Sequence, residues 1–548
     1  MIKKLPNRIK ALGVIYFTVL LASGCQYQKK TDVKENVLVY CSEGSPQTFN
    51  PQLSTSGTTF DASSRTLYNR LVEFRQGTTY IEPGLAESWQ ISSDGREYTF
   101  NLRKGVKLHQ TEYFVPSRDF NADDVIFSFE RQRDKTHPFH KVSNLSYNYF
   151  ESMELTSLIQ KIEKISEYQV KFYLSRAESP FLATLAMDFA SILSEEYAAE
   201  LLSEGAPEQL DLKPVGTGPF KLVRYQPDAY IRYRAHSDYW RGKEKLENLV
   251  FAITPDPSLR FARLVAGECD VMANPLPVHI SSAHNFKYAK VLSSAGLNVS
   301  YLAMNMLKTP FNSLKVRLAL NHAIDKKAII KAVYKQTATT AKNPIPPNMW
   351  SYDDSIDDYP YAPDIARKLL EEAGFEDGFD MTIWTMSAQR AYNPNAKKMA
   401  ELIQEDLKAI GVRVKIESYE YGTFLNKVRQ GQHHSALMGW IGDNGDPDNF
   451  FTPLLSCGGT ITGTNASNWC EPDFSRLIHL ARSQTKLRKR VNHYREAQEL
   501  FKYYSPWVPI AHATQHAIIN PRVKNFHIIP AGGVHFSGVY LDKEFYRD

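Results

Sequence analysis

No stretch of this sequence stays apolar long enough to cross a membrane. Its longest apolar run, Ala11–Ala22 (ALGVIYFTVLLA), has 12 residues, against about 20 for a spanning helix. Blocks of about five or six like charges are missing too, and with them the charged tails they form. The motifs H-E-x-x-H and G-x-S-x-G do not occur, nor does S-x-x-K with its partner motifs, so the common hydrolase signatures are absent. Cysteine is scarce, at five residues, with no C-x-x-C pair to suggest zinc. What the chain has is core material. Hydrophobic residues make up 43% and charged residues 23%, with 30 Tyr, 29 Phe and 7 Trp. That balance excludes a mostly disordered chain, and 548 residues leave room for roughly three domains.

The first residues read as a targeting segment. Lys3, Lys4, Arg8 and Lys10 precede the apolar run with no acid among them, and Leu21-Ala22-Ser23-Gly24-Cys25 follows. A basic start, a short apolar stretch and small residues before a cleavage point make a secretory signal. The segment ending at Cys25 resembles a bacterial lipobox, whose cysteine is acylated as the signal is removed. Ala22 departs from the leucine more usual there. A plain signal with an incidental cysteine is the competing reading. Residues 1–25 are thus expected to be a lipoprotein signal, and the polar residues 26–36 a tether.

Without residues 1–25 the chain has 61 basic and 60 acidic side chains, and its formal charge falls from +5 to +1. A near-neutral body argues against nucleic acid as the main partner, because neutralising phosphates takes a basic surface. Cys41, Cys269, Cys457 and Cys470 remain, and an even number in an exported chain reads as two disulfides. Cys457 and Cys470 lie 13 apart in a Gly/Thr/Asn-rich stretch and form a natural local loop. That leaves Cys41 for Cys269.

Residues 37–41 read as a first strand, and Trp89–Phe100 alternates around Asp94-Gly95, a hairpin signal. Asn121 is a good N-cap for a helix opening with Asp123 and Asp124. Residues from about 70 to 213 therefore read as an α+β module. Pro214-Val215-Gly216-Thr217-Gly218-Pro219 closes it as a structural turn, since it lacks the rest of a phosphate-loop motif. Further on the pattern becomes α/β. Strands at 381–385, 412–416 and 436–440 alternate with helices at 396–410 and about 422–430, which implies parallel pairing. Ligands bind beyond the carboxyl ends of such strands. That rule nominates the loops 386–395, with Arg390, and 441–449, with Asp443.

An Arg and an Asp facing one cleft suit a small zwitterion. Arg clasps a carboxylate with two parallel bonds, and Asp accepts from an ammonium. On spacing alone, a solvated Arg390 and an Asp443 that merely caps a Gly-rich turn are the better fit. The acids of 443–448 lack the ligand spacing and closing Glu of a calcium loop. His433-His434 sits in a polar loop and reads as solvated.

Four stretches together carry a family resemblance: VLVYCSEGSPQTFNPQLSTSGTT from Val37, PGLAESWQISSDGREYTFNLRKGVK from Pro83, QRAYNPNAKKMAELIQ from Gln389 and GWIGDNGDPDNFF from Gly439. The chain resembles the bacterial periplasmic dipeptide-binding proteins of the oligopeptide-binding group of ABC-importer receptors (solute-binding family 5), from about Val37 to its end. The resemblance implies an α/β, two-lobed periplasmic-binding-protein fold of class II, peptide-binding type, with an extra α+β subdomain. Lobe 1 would comprise 37–69, the extra subdomain 70–213, then 214–297 and 511–548; lobe 2 would be 298–510. Asp443 would bind the ligand ammonium and Arg390 its carboxylate. Ala391, Tyr392, Trp440, Ile441 and Gly442 would flank them, and Thr55, Ser56 and Gly57 would hold the ligand main chain. Ala391 stands where proline is common, and Ile441 where threonine is. The disulfide pairing above also matches the family's.

By this resemblance the chain is a monomeric receptor that uses no cofactor and catalyses nothing. It would sit in the periplasm on a lipid anchor and deliver a dipeptide or short peptide to a membrane permease with its ATPase subunits. The same group includes haem- and glutathione-binding lipoproteins and a receptor linked to antimicrobial-peptide resistance. No histidine stands out in the sequence as an axial haem ligand. A secreted peptidase is the remaining alternative.

Overall fold

The computed structural model describes residues 36–387 and 389–542. The expected signal, Cys25 as the expected lipid attachment site and nearly all of the expected tether lie outside the described residues. No described helix is long and apolar enough to cross a membrane.

A 12-stranded mixed sheet runs through the molecule. At one end, Val37–Ser42 pairs in parallel with Asn248–Ile253 and Val271–Ala273. Asn248–Ile253 then continues antiparallel into Tyr230–Ala235 and Phe220–Gln226. At the other end, Asp380–Met386 lies between Arg413–Tyr419 and Ser435–Ile441, parallel to both. This is the parallel arrangement that the strand–helix–strand pattern predicts. Ser435–Ile441 also pairs antiparallel with Asn298–Met304, a direction that apolar alternation does not encode. Trp507–Ile519 joins the two ends. Its first residues pair with Asn298–Met304, and its last with Val271–Ala273 and Lys290–Ala295.

Local chemistry explains the elements that carry the site. Helix Ala396–Lys408 buries Met399, Ile403 and Leu407 on one face and packs on strands Asp380–Met386 and Arg413–Tyr419. Asn395 caps it by accepting from the Lys398 N–H at 3.0 Å. Gly411, at φ +82°, turns the chain out of it in the left-handed region that glycine enters without a Cβ penalty. Helix Tyr421–Arg429 follows and buries Phe424 and Val428.

A separate four-stranded antiparallel sheet is built from Ala86–Ile91, Glu97–Leu102, Gln169–Leu174 and Ile159–Ser166. The hairpin turns at Asp94-Gly95, as its sequence predicts, with Gly95 at φ +71°. Helix Ala122–Arg133 covers this sheet behind a reciprocal cap: the Asn121 side chain accepts from the Asp123 N–H, and the Asp124 carboxylate accepts from the Asn121 N–H. The 214–219 turn is a close backbone crossing. A Cβ on Gly216 would lie 2.1 Å from the Leu67 carbonyl oxygen, and one on Gly218 2.4 Å from the Leu67 carbonyl carbon. Cys41 is bonded to Cys269 and Cys457 to Cys470.

Candidate functional site

The turn after strand Asp380–Met386 presents Arg390. Its backbone exchanges hydrogen bonds with Asn393 in both directions, at 3.1 and 2.9 Å. The guanidinium carbon lies 3.5 Å from the centroid of the Tyr421 ring, a cation–π contact of about 0.5–2 kcal/mol that fixes the plane of the fork. Arg390 Nε makes no hydrogen bond, and no carboxylate among the described residues pairs with this arginine. Tyr392 is buried, and its carbonyl accepts from the Tyr334 hydroxyl at 2.7 Å. Its ring lies flush against Gly439, where a Cβ would come within 2.2 Å of the ring. Tyr392 therefore ties the arginine turn to the strand that leads to the aspartate.

That strand, Ser435–Ile441, ends in the loop of Asp443. Asn449 organises the loop by accepting from both the Asp443 N–H and the Trp440 indole N–H at 3.0 Å. Gly442 packs edge-on to Phe450, which a Cβ would approach to 2.7 Å. The Asp443 carboxylate accepts from the Tyr149 hydroxyl at 2.7 Å and from the Asn449 amide at 3.4 Å. Both partners are neutral. Asp443 stays partly open toward a cavity but is otherwise enclosed by protein. Burial pushes its pKa up to about 6, against the opposing pull of the two hydrogen bonds.

Arg390 and Asp443 line one cavity of about 640 Å³, in the usual size range of a small-ligand site. Thr55, Gly57, Ala391 and Ile441 line it with them. Ser56, Tyr392, Trp440 and Gly442 are not among its lining residues. Ser56 precedes helix Gly57–Ala62, and its hydroxyl shares a 2.9 Å bond with Thr58.

The structure adds wall residues that the sequence reading does not name. Arg65 bonds Asp61 and Asp188 at 2.9 Å each and donates to the Gly532 carbonyl at 2.9 Å. Burial pushes Asp61 up to about 7 despite Arg65. Burial also acts on Asp188, but Arg65 and Arg70 outweigh it and hold its pKa below the ordinary value. Tyr149 comes from the first part of the chain to reach Asp443. No motif marks these residues, because each gains its role from partners far away in sequence.

Residues 80–461 match the family described as "Bacterial extracellular solute-binding proteins, family 5 Middle". The chain belongs to this family. Among family-5 relatives, the dipeptide-binding protein of Escherichia coli K12 is 51% identical over 510 residues, covering 93% of this chain and 95% of that one. Heme-binding protein A of Haemophilus influenzae is 46% identical, over 98% of this chain and 100% of its own. Two solved structures, each 43% identical and covering 92% of this chain and 100% of their own, are similar throughout. HbpA2 from Haemophilus parasuis superposes with a TM-score of 0.88. A dipeptide-binding protein from Pseudoalteromonas sp. SM9913 in complex with Met-Leu gives 0.80. The architecture is accordingly the two-lobed solute-binding fold, and family 5 is a family of receptors rather than enzymes.

In this family-5 chain the two sides of the cavity touch. Besides the Tyr149–Asp443 bond, Arg482 pairs with Glu178 at 2.9 Å, and the Ser179 N–H donates to the Arg482 carbonyl at 2.7 Å. A Cβ on Gly445 would meet Thr79 at 2.2 Å. His516 also stands in the cavity wall, its Nδ1 2.9 Å from the Ser293 hydroxyl and its Nε2 without a hydrogen bond.

Proposed function

We propose that this chain is the extracytoplasmic receptor of an ABC importer, anchored by a lipid on Cys25, and that it binds dipeptides as zwitterions. Asp443 takes the ligand ammonium and Arg390 the carboxylate. One observation carries this reading: a single cavity holds an arginine with no carboxylate partner and a carboxylate held only by neutral donors. Leaving two such charges unmatched is costly, and a ligand with one charge of each sign neutralises both. The names of the E. coli relative and of the Met-Leu complex support the same ligand class.

In this reading, 37–69, 214–297 and 511–548 form the first lobe, 70–213 is its added module, and 298–510 is the second lobe. Thr55 to Gly57 hold the ligand main chain from the first lobe. The contacts Tyr149–Asp443 and Glu178–Arg482 belong to the closed form. A ligand that touches both sides favours that form, and the permease takes delivery from it. Native mass spectrometry of protein purified without refolding tests the reading. A population heavier by dipeptide masses is the expected result, and none heavier, even after adding Ala-Ala, contradicts it.

A second reading, haem capture, rests on His516 and its free Nε2 together with the 46% identical haem-binding relative. A Soret-band titration of wild type and His516→Ala separates the two. The dipeptide reading expects no His516-dependent spectrum.

A further inference from the structure

The cavity holds a third arginine whose donors are only half used. Arg260 is 4% exposed and lines the same cavity. It rises from helix Pro257–Val265, and its Nη1 folds back to donate to the carbonyls of Thr254 at 3.0 Å and Pro255 at 2.6 Å. Those two bonds fix the guanidinium plane. The opposite edge is short of acceptors: the buried Nε makes no hydrogen bond, and Nη2 has only the Glu43 carboxylate, 3.9 Å away. Glu43 also lines the cavity, but the oxygen nearest Arg260 already accepts from the Asn274 amide at 2.8 Å. Arg65, by contrast, is fully engaged by Asp61 and Asp188, and Arg390 serves the ligand's terminal carboxylate.

We infer that Arg260 forms a side-chain subsite for a second carboxylate, so that the receptor favours dipeptides with an acidic residue. The inference rests on the dipeptide reading above. An Nε/Nη2 edge presents two parallel N–H groups at the spacing of carboxylate oxygens, which a point-charge lysine does not. A buried edge without acceptors is costly to leave unmatched, and an acidic side chain satisfies it where an apolar one does not. Glu43 is a built-in competitor. It weakens acidic ligands without closing the site to neutral ones.

Calorimetric titration with Ala-Ala, Ala-Glu, Glu-Ala and the glutamine counterparts Ala-Gln and Gln-Ala tests this. Wild type should bind the glutamate dipeptide roughly tenfold more tightly than its glutamine counterpart in at least one position. Arg260→Gln should abolish that preference and leave Ala-Ala affinity within about twofold, showing that the fold and the terminal clamp survive. Glu43→Gln should enlarge the preference, a gain that loss of structure would not produce. Ala-Ala binding without a glutamate preference in either position overturns this inference alone, as does a preference that persists in Arg260→Gln. Failure of wild type to bind Ala-Ala overturns the dipeptide reading and this inference with it.

Discussion

The Tyr149 hydroxyl donates a 2.7 Å hydrogen bond to the Asp443 carboxylate from 294 positions earlier in the chain. One side of the cavity thereby steadies a carboxylate carried by the other. The bond favours the ionised form of Asp443, while burial opposes it. Tyr149→Phe should therefore weaken dipeptide binding by about 1.5 kcal/mol, near tenfold in Kd. It should also move the midpoint of the pH dependence upward. Calorimetry at several pH values reads both, and an unchanged midpoint with unchanged affinity counts against the role assigned to Tyr149.

Wild-type binding itself should depend on pH. An ammonium is attracted to Asp443 when the carboxylate is ionised, and burial in the closed form pushes its pKa up to about 6. Affinity should be flat above pH ~7 and fall toward tenfold per unit below pH 6, until the pKa of the complex is reached. In Asp443→Asn the profile should be flat through this window. Affinity that holds from pH 7 down to 4.5 in wild type would contradict the assignment.

The same shift implies a stability trade. A carboxyl whose folded pKa lies above its unfolded value of about 4 binds its proton more tightly in the native state. Its contribution to stability is present at low pH and is lost as pH rises through 6. Ligand-free Asp443→Asn should accordingly melt at a higher temperature than wild type at pH 8, with the gap narrowing as pH falls toward about 4. Differential scanning calorimetry measures this, and a lower melting temperature at pH 8 would show that Asp443 serves the fold instead.

Gly439 tests the mechanical link between the two loops. Alanine there places a methyl carbon 2.2 Å from the Tyr392 ring, and displacing this buried ring is expected to shift the turn that carries Arg390. Gly439→Ala should lower dipeptide affinity by more than tenfold with the terminal-charge residues intact. Equal affinity in titration would mean that Tyr392 relaxes without disturbing Arg390.

Much of this site is legible in the sequence because its two charged residues follow strands that announce themselves. Met381–Thr385 and Ala436–Trp440 are short apolar runs, and the Met399–Ile403–Leu407 stripe and Gly411 mark the helix between Arg390 and the next strand. Each is a local signal with a local cause. The antiparallel partner Asn298–Met304 is different: it is buried throughout and has no alternation that records direction. Tyr149, Arg65 and Asp188 are likewise ordinary in their local sequence, and they become wall residues only when the chain closes on itself. His516 and Arg260 sit in a strand and a helix whose sequence patterns say nothing of side-chain pairing, so their unpaired nitrogens emerge only from three-dimensional contacts.

The measurement closest to the central claim is calorimetric titration of Ala-Ala, N-acetyl-Ala-Ala and Ala-Ala-amide into wild type, Asp443→Ala and Arg390→Ala. Free Ala-Ala should lose about 3–5 kcal/mol of binding in each variant, since each leaves a ligand charge enclosed and unpaired. Acetylation should cost affinity in wild type but little more in Asp443→Ala, and amidation should cost little more in Arg390→Ala. Near-wild-type affinity for Ala-Ala in both variants would contradict the zwitterion clamp.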